Sequence, residues 1–189
     1  MVLQIEDILI KTIDILRELG PIIIFLVIVI ESIMPIIPVG VFITLNIIIL
    51  GPVLGFIISW IATNLGCILS FYICRKGFSS YLYRKVKDRP KFNQIMDNIS
   101  NMKLSHMVLY VAVPFTPAFM FNFACGLTKV PFQRFLIAIL IGKISLIYFW
   151  GYIGTSLIES IKNPLILLEV IITVLLAYMV SLLVQKLID

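Results

Sequence analysis

Charge is what this chain has least of. Only 13% of its 189 residues are Asp, Glu, Lys or Arg, where soluble domains average about 25%. That excludes an ordinary water-soluble domain. There is a single histidine, which rules out a histidine-rich metal centre. The three cysteines, Cys67, Cys74 and Cys125, show no CxxC spacing and sit in or beside apolar runs, so neither a disulfide framework nor a zinc module is supported. They read as small hydrophobes. No nucleophile–base pair, P-loop or glycine-rich dinucleotide motif is present, so the expectation is a non-enzyme without metal or cofactor. Glu6, Asp7, Asp14 and Glu18 fall where a cleavable signal peptide would need its apolar stretch, which argues against one.

What the chain has instead is apolar length: 61% of it is hydrophobic, with a mean hydropathy of +1.11. At about 20 residues per crossing, that is enough for at most five or six membrane passes. The net charge of +5 is concentrated: between residues 75 and 105 eight bases stand against Asp88 and Asp97, a local +6, leaving −1 for the rest. A basic stretch with Tyr81, Tyr83 and Phe92 interleaved could face nucleic acid. Placed between two hydrophobic blocks, however, it reads more simply as a cytoplasmic loop obeying the positive-inside rule, with no nucleic-acid partner.

Residues 1–19 place Ile5, Ile8, Leu9, Ile13 and Leu16 on one helical stripe with charges opposite, the pattern of an amphipathic interfacial helix. The block 21–50 is apolar but interrupted by Glu31 and then by Pro35-Ile36-Ile37-Pro38-Val39-Gly40. Two prolines and a glycine break a helix there, and each remaining piece is too short to cross, so a re-entrant hairpin is expected. After the Gly51-Pro52 turn, 53–74 reads as a full crossing that ends at Arg75-Lys76, followed by the basic loop 75–105. The block 106–127 repeats the interruption with Pro114-Phe115-Thr116-Pro117. Spanning helices are then expected at 131–157 and 164–186.

The two PxxP breaks, each followed by an apolar stretch, a glycine turn and a long helix, lie in opposite orientation across the intervening span. That is the pattern of an inverted repeat, whose broken helices meet near the midplane. The fold expected is therefore an all-α integral membrane protein with two oppositely oriented re-entrant helical hairpins and about three transmembrane helices.

Glu31-Ser32-Ile33-Met34-Pro35 through Pro38, then Gly66, Phe71 through Gly77, and Pro114-Phe115-Thr116-Pro117 with Asn122, Gly126 and Phe135, resemble the DedA/VTT-domain superfamily over roughly residues 20–157, and the VTT branch more than the DedA branch. The resemblance implies an integral membrane protein of the lipid transporter or scramblase kind, moving phospholipid or undecaprenyl phosphate between leaflets. In some bacterial members it also implies a link to the proton-motive force. The sequence departs from the bacterial pattern at Val39-Gly40-Val41, where a second acid is expected. It departs again at Val111 and Pro117, where arginines are expected. Proton coupling and an arginine–phosphate clamp are in doubt at those positions.

Two ionisable residues stand inside apolar segments. Glu31 costs roughly 2.5–3.5 kcal/mol there if charged, which makes a functional role the default unless a shallow hairpin lets it reach interfacial water. Lys143, deep in an apolar helix, is its natural partner or a point charge for a lipid phosphate, although a lysine can also snorkel to the interface. Asn46, Asn64 and Asn122 add uncharged donors that could line a groove or bond helix to helix. His106, with Met102 and Met107, reads as a boundary residue, and Glu169 as interfacial. The candidate path is thus Glu31, Pro35, Pro38, Asn46, Pro114, Pro117, Asn122, Gly126 and Lys143, with membrane lipid as partner, protons as a further one, and an oligomer left open. A bacterial cell membrane is the expected location. The competing readings are a proton- or cation-coupled carrier of a small solute and a non-transporting scaffold that works through the basic loop.

Overall fold

The computed structural model describes residues 20–34, 38–78, 90–160 and 163–188. The expected amphipathic helix 1–19, Pro35 and much of the basic loop lie outside the described residues. Among those described, all regular structure is helical: α1 (Gly20–Ile33), α2 (Val39–Tyr72) running into a π-helical turn (Ile73–Phe78), α3 (Pro90–Asn101), α4 (Leu104–Ala112), α5 (Ala118–Leu127), α6 (Phe132–Glu159) and α7 (Pro164–Ile188). The segments Val39–Lys76, Phe132–Glu159 and Pro164–Lys186 are each long and apolar enough to cross a bilayer. The protein is an all-α, multi-span membrane protein.

The first of those segments is not one straight rod. Gly51, at φ 80° and ψ 169°, takes a backbone conformation that a side chain resists, and Pro52 behind it supplies no amide hydrogen. Asn46 Nδ2 donates to Ser59 Oγ at 3.1 Å. Thirteen residues along a straight helix would hold those groups about 20 Å apart, so the chain doubles back at Gly51. The two arms touch backbone to backbone at Gly55, where a Cβ would fall 2.6 Å from Asn46 O and Ile47 Cα. Beyond the turn, 52–76 still measures about 37 Å, more than the hydrocarbon core of roughly 30 Å.

Two further reversals frame the centre. Ile28 and Val29 of α1 and Phe42 of α2 pack in one cluster with Ala62, which requires the chain to turn between α1 and α2. The turn Val113–Pro117 folds α5 back on α4, stacking the Tyr110 and Phe121 rings at 5.1 Å. Thr116 fastens this turn: its hydroxyl lies 2.6 Å from Tyr110 O and 2.8 Å from Val113 O, a shared donor between carbonyls that have lost their helical partners.

The long arm of α2 and α6 run antiparallel as the central pair. Trp60 Nε1 donates to Leu140 O at 3.0 Å, a cross-helix bond that satisfies both groups away from water. At the end carrying Arg75, Phe71, Phe121, Cys125 and Phe135 form the main core, with Phe71 and Phe135 stacked at 4.6 Å. All three cysteines are free and buried. The outward faces are the reverse of a soluble protein's: Ile57, Ile61, Leu65, Ile137, Ile141 and Ile144 stand exposed, the surface expected of helices that face lipid.

Candidate functional site

The end of α1, the start of α2 and the turn at 113–117 arrive at the same place. A cavity of about 470 Å³ lies between them, walled by Glu31 and Ser32, by Pro38 and Val39, by the stretch Pro114 to Phe119, and by Lys143, Leu146 and Trp150 of α6. This volume is within the range of small-molecule sites. Lys143 lies about 17 Å along α6 from Phe132 and about 24 Å from Glu159, well inside the helix. Pro114 and Pro117 explain why the backbone is open here, since neither offers an amide hydrogen and each bars the residue before it from continuing a helix.

Glu31 is 8% exposed and Lys143 is 4% exposed. Both line the same cavity. Among the described residues the two are not joined by an ion pair within 4 Å. Beside Lys143 stands Gly142, where a Cβ would sit 2.7 Å from Val111 Cβ and 2.9 Å from Val108 O. With no side chain between them, α4 and α6 meet directly and the ammonium follows at a set level.

Of the sequence-expected path, Glu31, Pro38, Pro114, Pro117, Asn122 and Lys143 line this one cavity. Asn122 Nδ2 donates to Cys67 Sγ at 3.2 Å, which ties α5 to α2 beside the site. Asn46 stands elsewhere: it is fully buried between the arms of the Gly51 hairpin, bonded to Ser59, with its Oδ1 unpartnered. Gly126 is also elsewhere, at the basic end, where a Cβ would meet Phe71 O at 2.6 Å. Its role is close packing. Pro35 lies outside the described residues. His106, Glu159 and Glu169 are exposed and do not line the cavity. Among the described residues, no group of three His, Cys, Asp or Glu side chains could hold a metal ion.

Sequence reasoning passed over Ser32, Phe115, Thr116, Leu146 and Trp150. Two of them carried a readable signal: Leu146 and Trp150 follow Lys143 at i+3 and i+7, the spacing of one helical face. Phe115 was not legible. Its ring meets Phe149, Trp150 and Tyr178, and its carbonyl receives Gln185 Nε2 at 3.5 Å, so α7 is joined to the tip of the second reversal.

Arg75 was counted only as topological charge, and it does more. Its Nη2 donates to Cys125 O at 3.1 Å, Thr128 O at 2.7 Å and Val130 O at 2.8 Å, while Nε reaches Gly126 O at 3.3 Å. Its guanidinium carbon lies 4.3 Å from the Phe71 ring centroid. One side chain thereby collects the unpaired carbonyls at the C-terminal end of α5 and the loop after it.

Against known families, the model of the VTT domain matches residues 37–156. The chain is 31% identical over 161 residues to the uncharacterized membrane protein YhjE of Bacillus subtilis (strain 168), covering 84% of this chain and 78% of that protein. It is 30% identical over 110 residues to the uncharacterized protein YqeD of the same organism, covering 58% of this chain and 53% of that protein, just over half its length. No solved structure matches the chain.

Proposed function

Given that the chain belongs to the DedA/VTT-domain superfamily of membrane proteins, we propose that it carries lipid between the two leaflets of a bacterial cell membrane, with phospholipid or undecaprenyl phosphate as cargo. The observation that supports this best is the convergence of two helix breaks on one cavity that holds both Glu31 and Lys143.

In this reading the pairs α1 with the first arm of α2, and α4 with α5, are re-entrant hairpins of an inverted repeat. For the second pair the lengths favour it: α4 measures about 14 Å and α5 about 15 Å, each short of the roughly 30 Å core. Irregular backbone at membrane depth is tolerated where it is buried in protein or lines a wet cavity, and the stretch Pro114–Pro117 lines one. The headgroup passes through the cavity, exchanging water for the fixed charges of Glu31 and Lys143 and the backbone of the opened turns. The acyl chains stay outside, against the apolar outward faces of α2 and α6. The end bearing Arg75, Lys76 and Lys103 is cytoplasmic, as the excess of bases there favours.

The test is dithionite quenching of tail-labelled fluorescent phospholipid in liposomes that contain the purified full chain. Lipid passage carries quenching from the outer-leaflet half toward completion. Ala118→Trp, which fills the cavity from its wall, returns it toward half. A wild-type chain that leaves quenching at half excludes phospholipid, and the same vesicles loaded with polyprenyl phosphate then test the remaining cargo. The burial of both charges gives one competing reading some support, a coupled carrier of a small charged solute. It predicts uptake of solute into those vesicles with no lipid flux.

A further inference from the structure

Among the described residues the cavity is lined by one acid and one base that form no ion pair with each other, and this bears on which cargo it accepts. Resting on the lipid reading above, we propose that the cavity is selective for a zwitterionic headgroup, one that carries an ammonium and a phosphate together. Glu31 receives the ammonium and Lys143 the phosphate.

The argument is electrostatic. Both side chains are more than nine-tenths buried, where water screens them least and each exposes its charge to the cavity rather than to bulk solvent. Left alone, opposite charges in such a place gain by closing on each other. Here no ion pair within 4 Å joins them: Glu31 comes from α1, where Gly66 of α2 packs directly against Ser32 and Val29 O, and Lys143 comes from α6, where Gly142 packs against Val111. A site with separated charges of both signs discriminates among ligands by sign. A headgroup with a net negative charge satisfies Lys143 but brings like charge toward the Glu31 carboxylate. A neutral polar solute leaves both charges desolvated without a partner, a cost that grows as water is displaced. A zwitterion answers both at once. Elsewhere the wall is largely committed: the Ser32 hydroxyl donates to Ile28 O and the Thr116 hydroxyl is shared between Tyr110 O and Val113 O. The charged pair is left as the main source of selectivity.

The experiment measures quenching rates in liposomes that contain the full chain and a trace of tail-labelled phosphatidylethanolamine, phosphatidylcholine or phosphatidylglycerol, one at a time. The wild type moves the two zwitterionic lipids at least about tenfold faster than phosphatidylglycerol. Glu31→Gln brings that ratio toward one by slowing the zwitterions and sparing the anion, while Lys143→Met slows all three. Because the readout is a ratio between lipids in one protein preparation, a variant that folds with poor yield still reports. Equal rates for all three lipids in the wild type overturn the selectivity and leave lipid transport standing, as does a ratio unchanged by Glu31→Gln. No flux for any of the three overturns the selectivity and excludes phospholipid as cargo, leaving polyprenyl phosphate as the lipid to test.

Discussion

Replacing Arg75 with Met keeps an unbranched apolar stem and removes the five donors, and the structure sets what that removal costs. Four carbonyl oxygens, those of Cys125, Gly126, Thr128 and Val130, face the guanidinium at 2.7–3.3 Å. A hydrogen bond to a charged group is worth about 1.5–3 kcal/mol net, and three of these share one nitrogen, so the set amounts to fewer than four full bonds. The contact with Phe71 adds about 0.5–1 kcal/mol or more. The loss is on the order of 3–5 kcal/mol, and for a chain of this size each kcal/mol moves a melting midpoint by roughly 2–4 °C. Arg75→Met is expected to melt about 6–20 °C below wild type in detergent, followed by intrinsic tryptophan fluorescence or by the loss of the monodisperse chromatographic peak. Arg75→Lys keeps the charge but presents its donors from one point, and falls between the two. A midpoint for Arg75→Met within 2 °C of wild type, roughly the effect of a single weak surface contact, would refute the view that this residue fastens α5 to α2. Arg75 would then be topological charge alone.

Gly55→Val places atoms where Asn46 O and Ile47 Cα already stand 2.6 Å from the position of a Cβ, so the Gly51 hairpin must splay. Overpacking of this kind costs about 1–3 kcal/mol or more, and the yield of monodisperse protein should fall sharply while Leu54→Val, at an exposed neighbour, leaves it unchanged. For the charged pair, Lys143→Met leaves the Glu31 carboxylate facing the cavity without its counter-charge, so the double variant Glu31→Gln/Lys143→Met is expected to melt higher than Lys143→Met alone. Additive midpoints in that cycle would mean the two residues do not sense each other.

The long crossings were legible because hydropathy over some twenty residues needs no knowledge of contacts. The reversals were legible from proline and glycine for the same reason, since Pro114, Pro117 and the Gly51-Pro52 pair act through their own backbones. Glu31 and Lys143 stood out from the sequence because a charge inside an apolar run is costly wherever the helix lies, and the structure brings them to one cavity although 112 positions separate them. Asn46 shows where such reading stops. Its spacing from Pro38 is compatible with a cavity wall, but its direction depends on how the hairpin arms are rotated, and that is decided by the fit of Gly55 against residues 46 and 47. Phe115 and Thr116 were hidden by a different cause: within a proline-flanked apolar stretch nothing distinguishes a residue that seals a turn from one that faces lipid. Arg75 was seen as charge and its bonds to α5 were not, because a base at a membrane boundary already has a sufficient reason to be there.

The direct meeting of α4 and α6 at Gly142 has a bearing on tails as well as headgroups. A bilayer is a steep gradient of polarity, so the height at which a charge is held decides how much dehydration a visitor must suffer to reach it. With Gly142 wedged against Val111, that height belongs to the protein and not to the surrounding lipid. Thickening the membrane with longer acyl chains moves both surfaces away from Lys143 and leaves the ammonium at the same rung of its helix. For a lipid cargo the toll is then levied on the distance from each surface to that rung, and thinner bilayers are the faster medium whatever headgroup is carried.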